Sequence, residues 1–465
     1  MNDNFKDASL AQSIAIFIIL IFSLILGVIV LKVDLTIVLL ISLFLVILFS
    51  IINGYSLDYI KSGMANSIHR TYDALLIFIL IGANIGIWIL SGTIPSLIYY
   101  GLNILSPRIF LPAGLLICSL TSLATGTSWG TVSTVGIALL GIGQSLGIPL
   151  PLTAGMIVSG AFFGDKISPM SDTTNLAAAS TNTNLYDHIE SMLYTTIPSY
   201  ILALILYTIV GLNYKSTTID FTQVNLIQNM LKSTFNISFL TLVPILVVVI
   251  LSILKKPAII SMSIGILAGL IIAIFMQGSS LKDALITLNL GYTTPTHIDI
   301  VDKLILRGGI QSMMPTFSLA FIALSLGGIL DEVGYLKVLV EKFLLKVERI
   351  GSLIAITILS CILSNTIMGE AYLSIILNGR LYKSKYNELG LQNRMLSRSL
   401  EEGSTLTTGL IPWTTAGAFI SGTLGISTLS YAPFSFFNLL NPLISILFAY
   451  LGLFVFKINT ENKKP

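Results

Sequence analysis

The segment 165–175 concentrates residue types that can bind a small cation or a proton. Asp165 and Asp172 follow a long apolar stretch without charged residues, and hydroxyl and amide side chains accompany them. Pro169 lacks a backbone donor and breaks a helix, which frees carbonyl oxygens, and oxygen atoms are the ligands that hard cations prefer. The predicted ion- and proton-binding residues are Asp165, Ser168, Asp172, Thr173, Thr174 and Asn175.

A carboxylate in a poorly solvated place can exchange a proton for a cation. On this hypothesis Asp165 or Asp172 alternately binds Na⁺ and H⁺. Their seven-residue spacing would put both on one helix face only in a continuous helix, and Pro169 argues against one. The alternative interpretation is a hydrophilic loop between two spans, with both aspartates in water.

Two polar interruptions inside long apolar stretches form a second set of candidates. Glycine beside short hydroxyl or amide side chains is typical of a broken helix whose half-helix ends face an ion. The alternative is close helix packing, which also enriches small residues. The predicted supporting or substrate-contacting residues are Thr125, Thr127 and Ser128 in one stretch, and Ser364, Asn365, Thr366 and Glu370 in the other.

A third candidate segment runs from Arg398 to Trp413. Arg398 lies three or four residues before Glu401 and Glu402, so these side chains could pair on a helix. Arg398, Glu401 and Thr405 are predicted as supporting or substrate-contacting residues. A cytoplasmic loop with a surface ion pair is the alternative.

These residues belong to a polytopic membrane protein. The 465-residue chain is 54% hydrophobic and only 10% charged, with a mean hydropathy of +0.90, which excludes a soluble enzyme and a disordered chain. The net charge of +3 gives no indication of nucleic-acid binding. The cysteines form no CxxC pair, the histidines are scattered and no phosphate-binding loop occurs, so we expect no cofactor, no resident metal and no ATP-driven pump.

Apolar runs predict the membrane-spanning helices. Gln277–Lys303 is predicted as a loop, and the basic Lys255-Lys256 turn and C-terminal tail are predicted to be cytoplasmic. Basic residues flank Gly351–Leu377 on both sides, which favours a re-entrant hairpin. The predicted spans and long interrupted stretches are Ile14–Leu31, Leu35–Ile52, Ala74–Leu90, Ile109–Leu140, Met192–Leu212, Leu240–Leu254, Ala258–Met276, Phe317–Leu330, Gly351–Leu377, Leu410–Gly425 and Leu439–Phe456.

A weak internal repeat has a period of about 240 residues. Gly86 and Gly92 correspond to Gly328 and Gly334, and the two interruptions correspond with Gly130 opposite Gly369. The flanks of the second interruption hold nine Lys or Arg and those of the first hold one, so the flanks are predicted on opposite membrane faces. This is typical of inverted repeats that hold substrate at their interface; chance similarity of glycine-rich apolar sequence is the alternative.

The strings TGTSWGTVSTVGIALLGIGQSLGIP, FGDKISPMSDTTNLA and SRSLEEGSTLTTGLIPW resemble the NhaC family of sodium/proton antiporters, over about Gly63 to Asn438. Ala178 and Thr414 depart from its pattern, which commonly has Pro and Asn there. The resemblance implies two inverted repeats with re-entrant hairpins and discontinuous helices. It carries over Asp165, Ser168, Asp172, Thr173, Thr174, Asn175, Glu401 and Thr405 as binding residues.

The predicted function is Na⁺/H⁺ antiport in a bacterial inner membrane, with a cytoplasmic C-terminus. The alternative is Na⁺- or H⁺-coupled exchange of small organic anions, of the malate and lactate type, or of amino acids; an ion channel fits the buried carboxylates less well. The sequence leaves open whether the protein forms a homodimer. The predicted domains are N-terminal spans (1–62), a first repeat (63–212), a connector with two spans (213–303), a second repeat (304–438), and a last span with its tail (439–465).

Overall fold

The computed structural model describes residues 8–213, 221–344 and 347–458, and helices dominate all three segments. The first segment contains α1 (Leu10–Leu24), α2 (Leu35–Ile52), α3 (Leu57–Arg70), α4 (Tyr72–Leu90), α5 (Thr93–Ile104), α6 (Pro107–Thr125), α7 (Ser128–Thr131), α8 (Ile137–Ser145), α9 (Leu150–Ile167), α10 (Asp172–Thr181) and α11 (Leu185–Leu212). The second contains α12 (Phe221–Thr234), α13 (Val243–Ile253), α14 (Ala258–Phe275), α15 (Leu281–Leu290), α16 (Asp299–Ile305), α17 (Ile310–Glu332) and α18 (Tyr335–Leu344). The third contains α19 (Ile350–Met368), α20 (Ala371–Glu388), α21 (Asn393–Leu400), α22 (Leu406–Thr408), α23 (Thr415–Leu424), α24 (Thr428–Tyr431) and α25 (Phe436–Tyr450).

The helices confirm an all-α polytopic membrane protein. Within the described ranges, 8 helices are long and apolar enough to cross a membrane, or up to 10 if each of two bent pairs counts as one span. Large apolar side chains point outward, as at Ile271 and Phe275, which are 57% and 81% exposed. Such a surface suits lipid rather than water.

Several predicted boundaries differ from the structure. The predicted loop Gln277–Lys303 contains α15, which Ser280 caps by accepting from the Asp283 amide. The predicted stretch Leu410–Gly425 is a short helix, α23, behind a non-helical segment. The predicted last span begins at Phe436, and it forms a bent pair of 58° with the helix before it. Parts of four other predictions lie outside the described residues: 1–7 of the N-terminal segment, 214–220 of the connector, 345–346 of a basic flank, and 459–465 of the tail.

The second half repeats the helix boundaries of the first at an offset of 243 residues, the separation of Pro107 from Ile350. Helices α6 and α19 both have 19 residues, and α10 and α23 both have 10, each pair at this offset. Gly126 and Gly369 end α6 and α19 with the same φ of +70°. The structure therefore places Gly126, and not the predicted Gly130, opposite Gly369.

Equivalent helix contacts use equivalent residues. A Cβ on Gly160 would approach the Cys118 Cβ to 2.6 Å, and a Cβ on Gly403 would approach the Cys361 Cβ to the same 2.6 Å. Both cysteines are buried and serve these packing contacts. The repeat is thus present in the contacts as well as in the helix lengths, while the opposite orientation of its two copies in the membrane stays a prediction.

Candidate functional site

The segment Ser168–Ser171 interrupts the helix between α9 and α10. The Ser168 hydroxyl donates to the Leu123 carbonyl at 3.0 Å, and the Thr174 hydroxyl donates to the Lys166 carbonyl at 3.0 Å. Helix α9 thus ends before Pro169, as the sequence predicts. The Thr174 hydroxyl occupies a carbonyl that the end of α9 leaves free, and the Ser168 hydroxyl occupies one near the end of α6.

The tip of the first interruption packs directly on this break. Gly126 adopts a left-handed conformation, and a Cβ there would lie 2.7 Å from the Met170 Cβ, so only glycine permits the approach. The chain then turns into α7, which Thr127 caps by accepting from the Gly130 amide at 3.2 Å. Two helix ends of the first half therefore meet at one place.

Asp165 lies at that meeting point. It is 7% exposed, and its Oδ2 accepts a hydrogen bond from the Ser128 amide, the first of α7, at 3.1 Å. The hydroxyls of Ser128 and Ser171 also face its carboxyl group. The start of α7 therefore fixes the orientation of this buried carboxyl group.

The second half brings Glu401 to the same place. The hydroxyl of Thr173, the second residue of α10, donates to Glu401 Oε1 at 2.9 Å. Glu401 is fully buried, and Asp165 is near enough to repel its charge. Two buried carboxylates, one from each half, therefore share a single polar region, and such a pair favours a bound cation or proton.

A row of unbonded oxygen atoms extends from Glu401 along its helix. Among the described residues, Glu401 Oε2 and the hydroxyls of Thr405 and Thr408 are buried without a hydrogen bond of normal geometry, and the Thr405 hydroxyl faces the Glu401 carboxyl group. Their spacing of four and three residues places them on one helix face. The residues Glu401–Thr405 form a π-helical turn, which is frequent at functional sites. Buried oxygens without donors are suited to coordinate a cation.

Comparison with known proteins identifies the family of the chain. A family model described as "Na+/H+ antiporter family" matches residues 160–453, which include Asp165, α10 and the Glu401 row. The chain belongs to the Na⁺/H⁺ antiporter family. It is therefore a secondary antiporter of the multi-pass membrane class.

Three relatives show the range of this antiporter family. A malate-2H(+)/Na(+)-lactate antiporter of Bacillus subtilis is 40% identical and aligned over 88% of each chain. The Na(+)/H(+) antiporter NhaC of Alkalihalophilus pseudofirmus is 42% identical over 86% of each chain. The arginine/ornithine antiporter ArcD of Halobacterium salinarum is 35% identical over 86% of this chain and 83% of its own.

The antiporter's second interruption places Glu370 at the start of α20. Glu370 caps α20 by accepting from the Tyr372 amide and also accepts from the Thr415 hydroxyl. Thr415 in turn donates its amide to the Gly369 carbonyl at 2.9 Å. In the repeat, Glu370 corresponds to Thr127 and Thr415 corresponds to Asp172. The acidic residue of one half thus stands where the other half has a hydroxyl residue, and the reverse.

Several predicted residues contact backbone or helix neighbours instead of the shared carboxylate region. Asp172 is exposed, although it lies near enough to Asp165 to repel its charge. The Asn175 amide donates to the Pro169 and Ser171 carbonyls. The hydroxyls of Thr125, Ser364 and Thr366 donate to carbonyls one turn earlier in their own helices. The Asn365 amide joins α19 to the Ser404 carbonyl at 2.6 Å.

Arg398 does not form the predicted pair with Glu401 or Glu402. It is fully buried and donates to the carbonyls of Ser191 and Phe454 at 3.3 and 3.2 Å. Glu402 instead forms a buried ion pair with Lys166 at 3.6 Å. Neither partner was among the predicted site residues, although a lysine beside Asp165 and the second acid of Glu401-Glu402 were the available signals.

The departure at Thr414 has a structural answer. Thr414 caps α23 by accepting from the Gly417 amide at 3.0 Å, and its hydroxyl donates to the Thr408 carbonyl at 2.5 Å. Asn also favours the N-cap position. Threonine at this position of the antiporter therefore keeps the helix start, with no loss of an ion ligand required.

Proposed function

We propose that this antiporter exchanges Na⁺ for H⁺ and that Na⁺ binds between Asp165 and Glu401. The observation that carries the proposal is the pair of buried carboxylates, one from each half, beside oxygens that lack partners. Glu401 Oε2 and Thr405 supply ligands from the second half, and Asp165 supplies them from the first. An oxygen-rich, closely packed site of this kind suits a small hard cation.

Exchange follows from the cost of burying charge. Two carboxylates close together in a membrane interior are stabilised by a bound cation or by protonation, and each loaded form displaces the other. Na⁺ and H⁺ therefore compete for the same buried acidic group. Binding at the interface of the two halves lets a movement of one half against the other transfer the ion between the two sides.

We place the chain in the bacterial inner membrane with its C-terminus in the cytoplasm. The Lys255-Lys256 turn and the C-terminal tail, of which Lys457 is described, are basic. They support a cytoplasmic C-terminus because cytoplasmic segments are enriched in Lys and Arg. The 243-residue offset supports two repeats, and the uneven Lys and Arg content of their flanks favours opposite orientations. A homodimer is a further prediction that an oligomeric-state measurement in detergent would check.

The test is transport in proteoliposomes that contain a pH-sensitive dye. An imposed pH gradient is challenged with Na⁺, Li⁺ and K⁺ for the wild type, Asp165→Asn and Asp172→Asn. We expect Na⁺ to dissipate the gradient in the wild type. Asp165→Asn should abolish the response because it removes a buried ligand, and Asp172→Asn should retain most of it because Asp172 is exposed.

The matched aspartate variants make the outcome decisive. Each variant removes one carboxylate, and the two positions are only seven residues apart. A general effect of lost negative charge would therefore reduce transport equally in both variants. If Na⁺ has no effect on the wild-type gradient, Na⁺/H⁺ antiport is wrong for this chain. If Asp172→Asn alone is inactive, the exchange stands but Asp165 is not the ligand.

A second candidate function is exchange of an organic solute with H⁺ or Na⁺. The similarity to the malate/lactate and arginine/ornithine antiporters favours it. The same vesicles are therefore challenged with malate, lactate, arginine and ornithine. A gradient that only an organic solute dissipates would replace Na⁺/H⁺ antiport with solute exchange on the same scaffold.

A further inference from the structure

A second polar cluster lies one residue beyond the proposed Na⁺ ligands. Lys166 follows Asp165, Glu402 follows Glu401, and both side chains are 0% exposed. The Lys166 ammonium donates to Asn441 Oδ1 at 2.5 Å and lies 3.6 Å from Glu402 Oε1. The Thr195 hydroxyl donates to the same Glu402 oxygen at 2.5 Å. A buried ion pair thus joins the two halves directly beside the carboxylate pair.

The charge of Lys166 is attracted in two directions. Its ammonium interacts with Glu402 and also with Glu401, so it lies between its own partner and a proposed Na⁺ ligand. Its distance of 3.6 Å from Glu402 is longer than a normal charge-assisted hydrogen bond of about 2.7–2.9 Å. A lysine side chain is a point charge on a flexible stem. Glu402 and Asn441 are therefore the groups that hold this charge away from Glu401.

Glu402 is itself only partly bonded. Its second oxygen, Oε2, is buried without a partner, as are Nε and Nη2 of Arg398 one turn earlier. Arg398 and Lys166 both interact electrostatically with Glu402. A buried carboxylate between two cations is costly to remove, because both positive charges would lose their compensation. Glu401, a proposed Na⁺ ligand, is then the carboxylate with which Lys166 still interacts.

We propose that Glu402 is a positioning residue that holds Lys166 away from Asp165 and Glu401 and so keeps that pair free for Na⁺. The inference rests on the proposed function for the identity of the bound ion. Without Glu402, Lys166 neutralises the carboxylate pair and competes with Na⁺. Lys166 and Glu402 together then determine Na⁺ affinity, although neither contacts the ion.

The test is Na⁺ binding by the full-length protein purified in detergent, measured as the Na⁺-dependent rise in thermal unfolding temperature. Ionic strength is kept constant with N-methylglucamine. The variants are Glu402→Gln, Lys166→Gln and the double variant. The dissociation constant for Na⁺ should rise at least about tenfold in Glu402→Gln, because a freed positive charge a few ångströms away opposes the cation. It should return to near the wild-type value in the double variant, and Lys166→Gln should not weaken binding.

Glu388→Gln is the matched control, because it also removes the partner of a lysine, Lys385, in an exposed pair at 3.0 Å. We expect it to bind Na⁺ like the wild type. A merely structural ion pair would change the unfolding temperature without changing the dissociation constant. Unchanged affinity in Glu402→Gln, or weak binding that the double variant fails to restore, would overturn the inference.

The same measurement separates this inference from the proposed function. If wild-type protein binds Na⁺ but Na⁺ does not dissipate a pH gradient in vesicles, the antiport proposal fails and the role of Glu402 is still decided by the affinities. If antiport is present and Glu402→Gln binds normally, only the role of Glu402 fails. If wild-type protein binds no Na⁺, both are wrong.

Discussion

Neighbouring threonines on the helix that carries Glu401 differ in how their hydroxyls are bonded. The Thr405 hydroxyl is buried and faces the Glu401 carboxyl group, whereas the Thr407 hydroxyl donates to the Gly403 carbonyl at 2.5 Å and accepts from the Asn365 amide at 3.0 Å. Thr405 is therefore available to an ion, and Thr407 is part of the helix packing.

Thr405→Val should weaken Na⁺ binding without destabilising the protein. Valine has nearly the same shape, and the hydroxyl it replaces faces the proposed ligand Glu401 rather than a backbone carbonyl. We expect the KM for Na⁺ to rise about tenfold, equivalent to about 1.4 kcal/mol, with an unchanged or higher unfolding temperature. Initial rates of Na⁺-driven pH change in proteoliposomes, together with thermal unfolding in detergent, measure both quantities.

Thr407→Val is the control for this prediction, because it should have the opposite profile. It leaves a buried carbonyl and a buried amide without one partner each, which costs about 1–3 kcal/mol, while the KM for Na⁺ stays near the wild-type value. Equal KM values in the two variants would contradict the assignment of Thr405 as a ligand.

At this scale the sequence predicts residue type better than residue contact. Asp165 stands out in the sequence because an acid in an apolar membrane stretch is costly to bury, and such residues are therefore usually functional. The roles of Ser364 and Thr366 could not, because a hydroxyl can bond its own helix as readily as an ion. The Lys166–Glu402 pair joins residues far apart in the sequence, and no local pattern indicates which acid a buried lysine meets.

The two helix interruptions are equivalent elements with different surroundings. Gly126 and Gly369 both have φ near +70°, so alanine at either position should cost about 1–2 kcal/mol in backbone strain. An added Cβ at Gly126 would also lie 2.7 Å from the Met170 Cβ and 2.9 Å from its carbonyl carbon. At Gly369 the nearest atom would be the Ala323 Cβ, at 3.5 Å.

Gly126→Ala should therefore impair transport more than Gly369→Ala. The first variant must displace the break that carries Asp165 toward its partners, whereas the second adds strain without a clash. We expect Gly369→Ala to retain most of its Na⁺-driven exchange and Gly126→Ala to lose most of it. Transport rates normalised to reconstituted protein measure the difference, and equal losses would argue against a functional contact between the Gly126 tip and Met170.

Element types and the helix breaks could be predicted, because apolar length and Pro or Gly punctuation act locally. The predicted register of the repeat, with Gly130 opposite Gly369, was wrong by four residues. The glycine that ends the helix is the one with a left-handed backbone conformation, and the amino-acid sequence does not show which glycine adopts it. The break before α23 was also missed, because Leu410–Gly425 is apolar enough to resemble a span.

The arrangement of the whole molecule in the membrane follows from the repeat and its charges. Ser106 and Arg349 occupy equivalent positions, each directly before the first helix of an interruption, α6 or α19, and both are exposed. If the two copies are inverted, these residues lie on opposite sides of the bilayer. The basic residues around Arg349 then face the cytoplasm.

The accessibility of an introduced cysteine tests this prediction. Ser106→Cys should react with a membrane-impermeant maleimide from outside intact cells, and Arg349→Cys should react only in inside-out vesicles. The native cysteines Cys118 and Cys361 are buried, so the unmodified protein gives the background, and retained Na⁺-driven exchange shows that each variant is folded. Labelling of both positions from the same side would contradict inversion. The protein could then not open its site to the other side of the membrane by letting the two halves swap conformations, and transport would require a different movement. The Asp165–Glu401 pair would still lie where both halves meet.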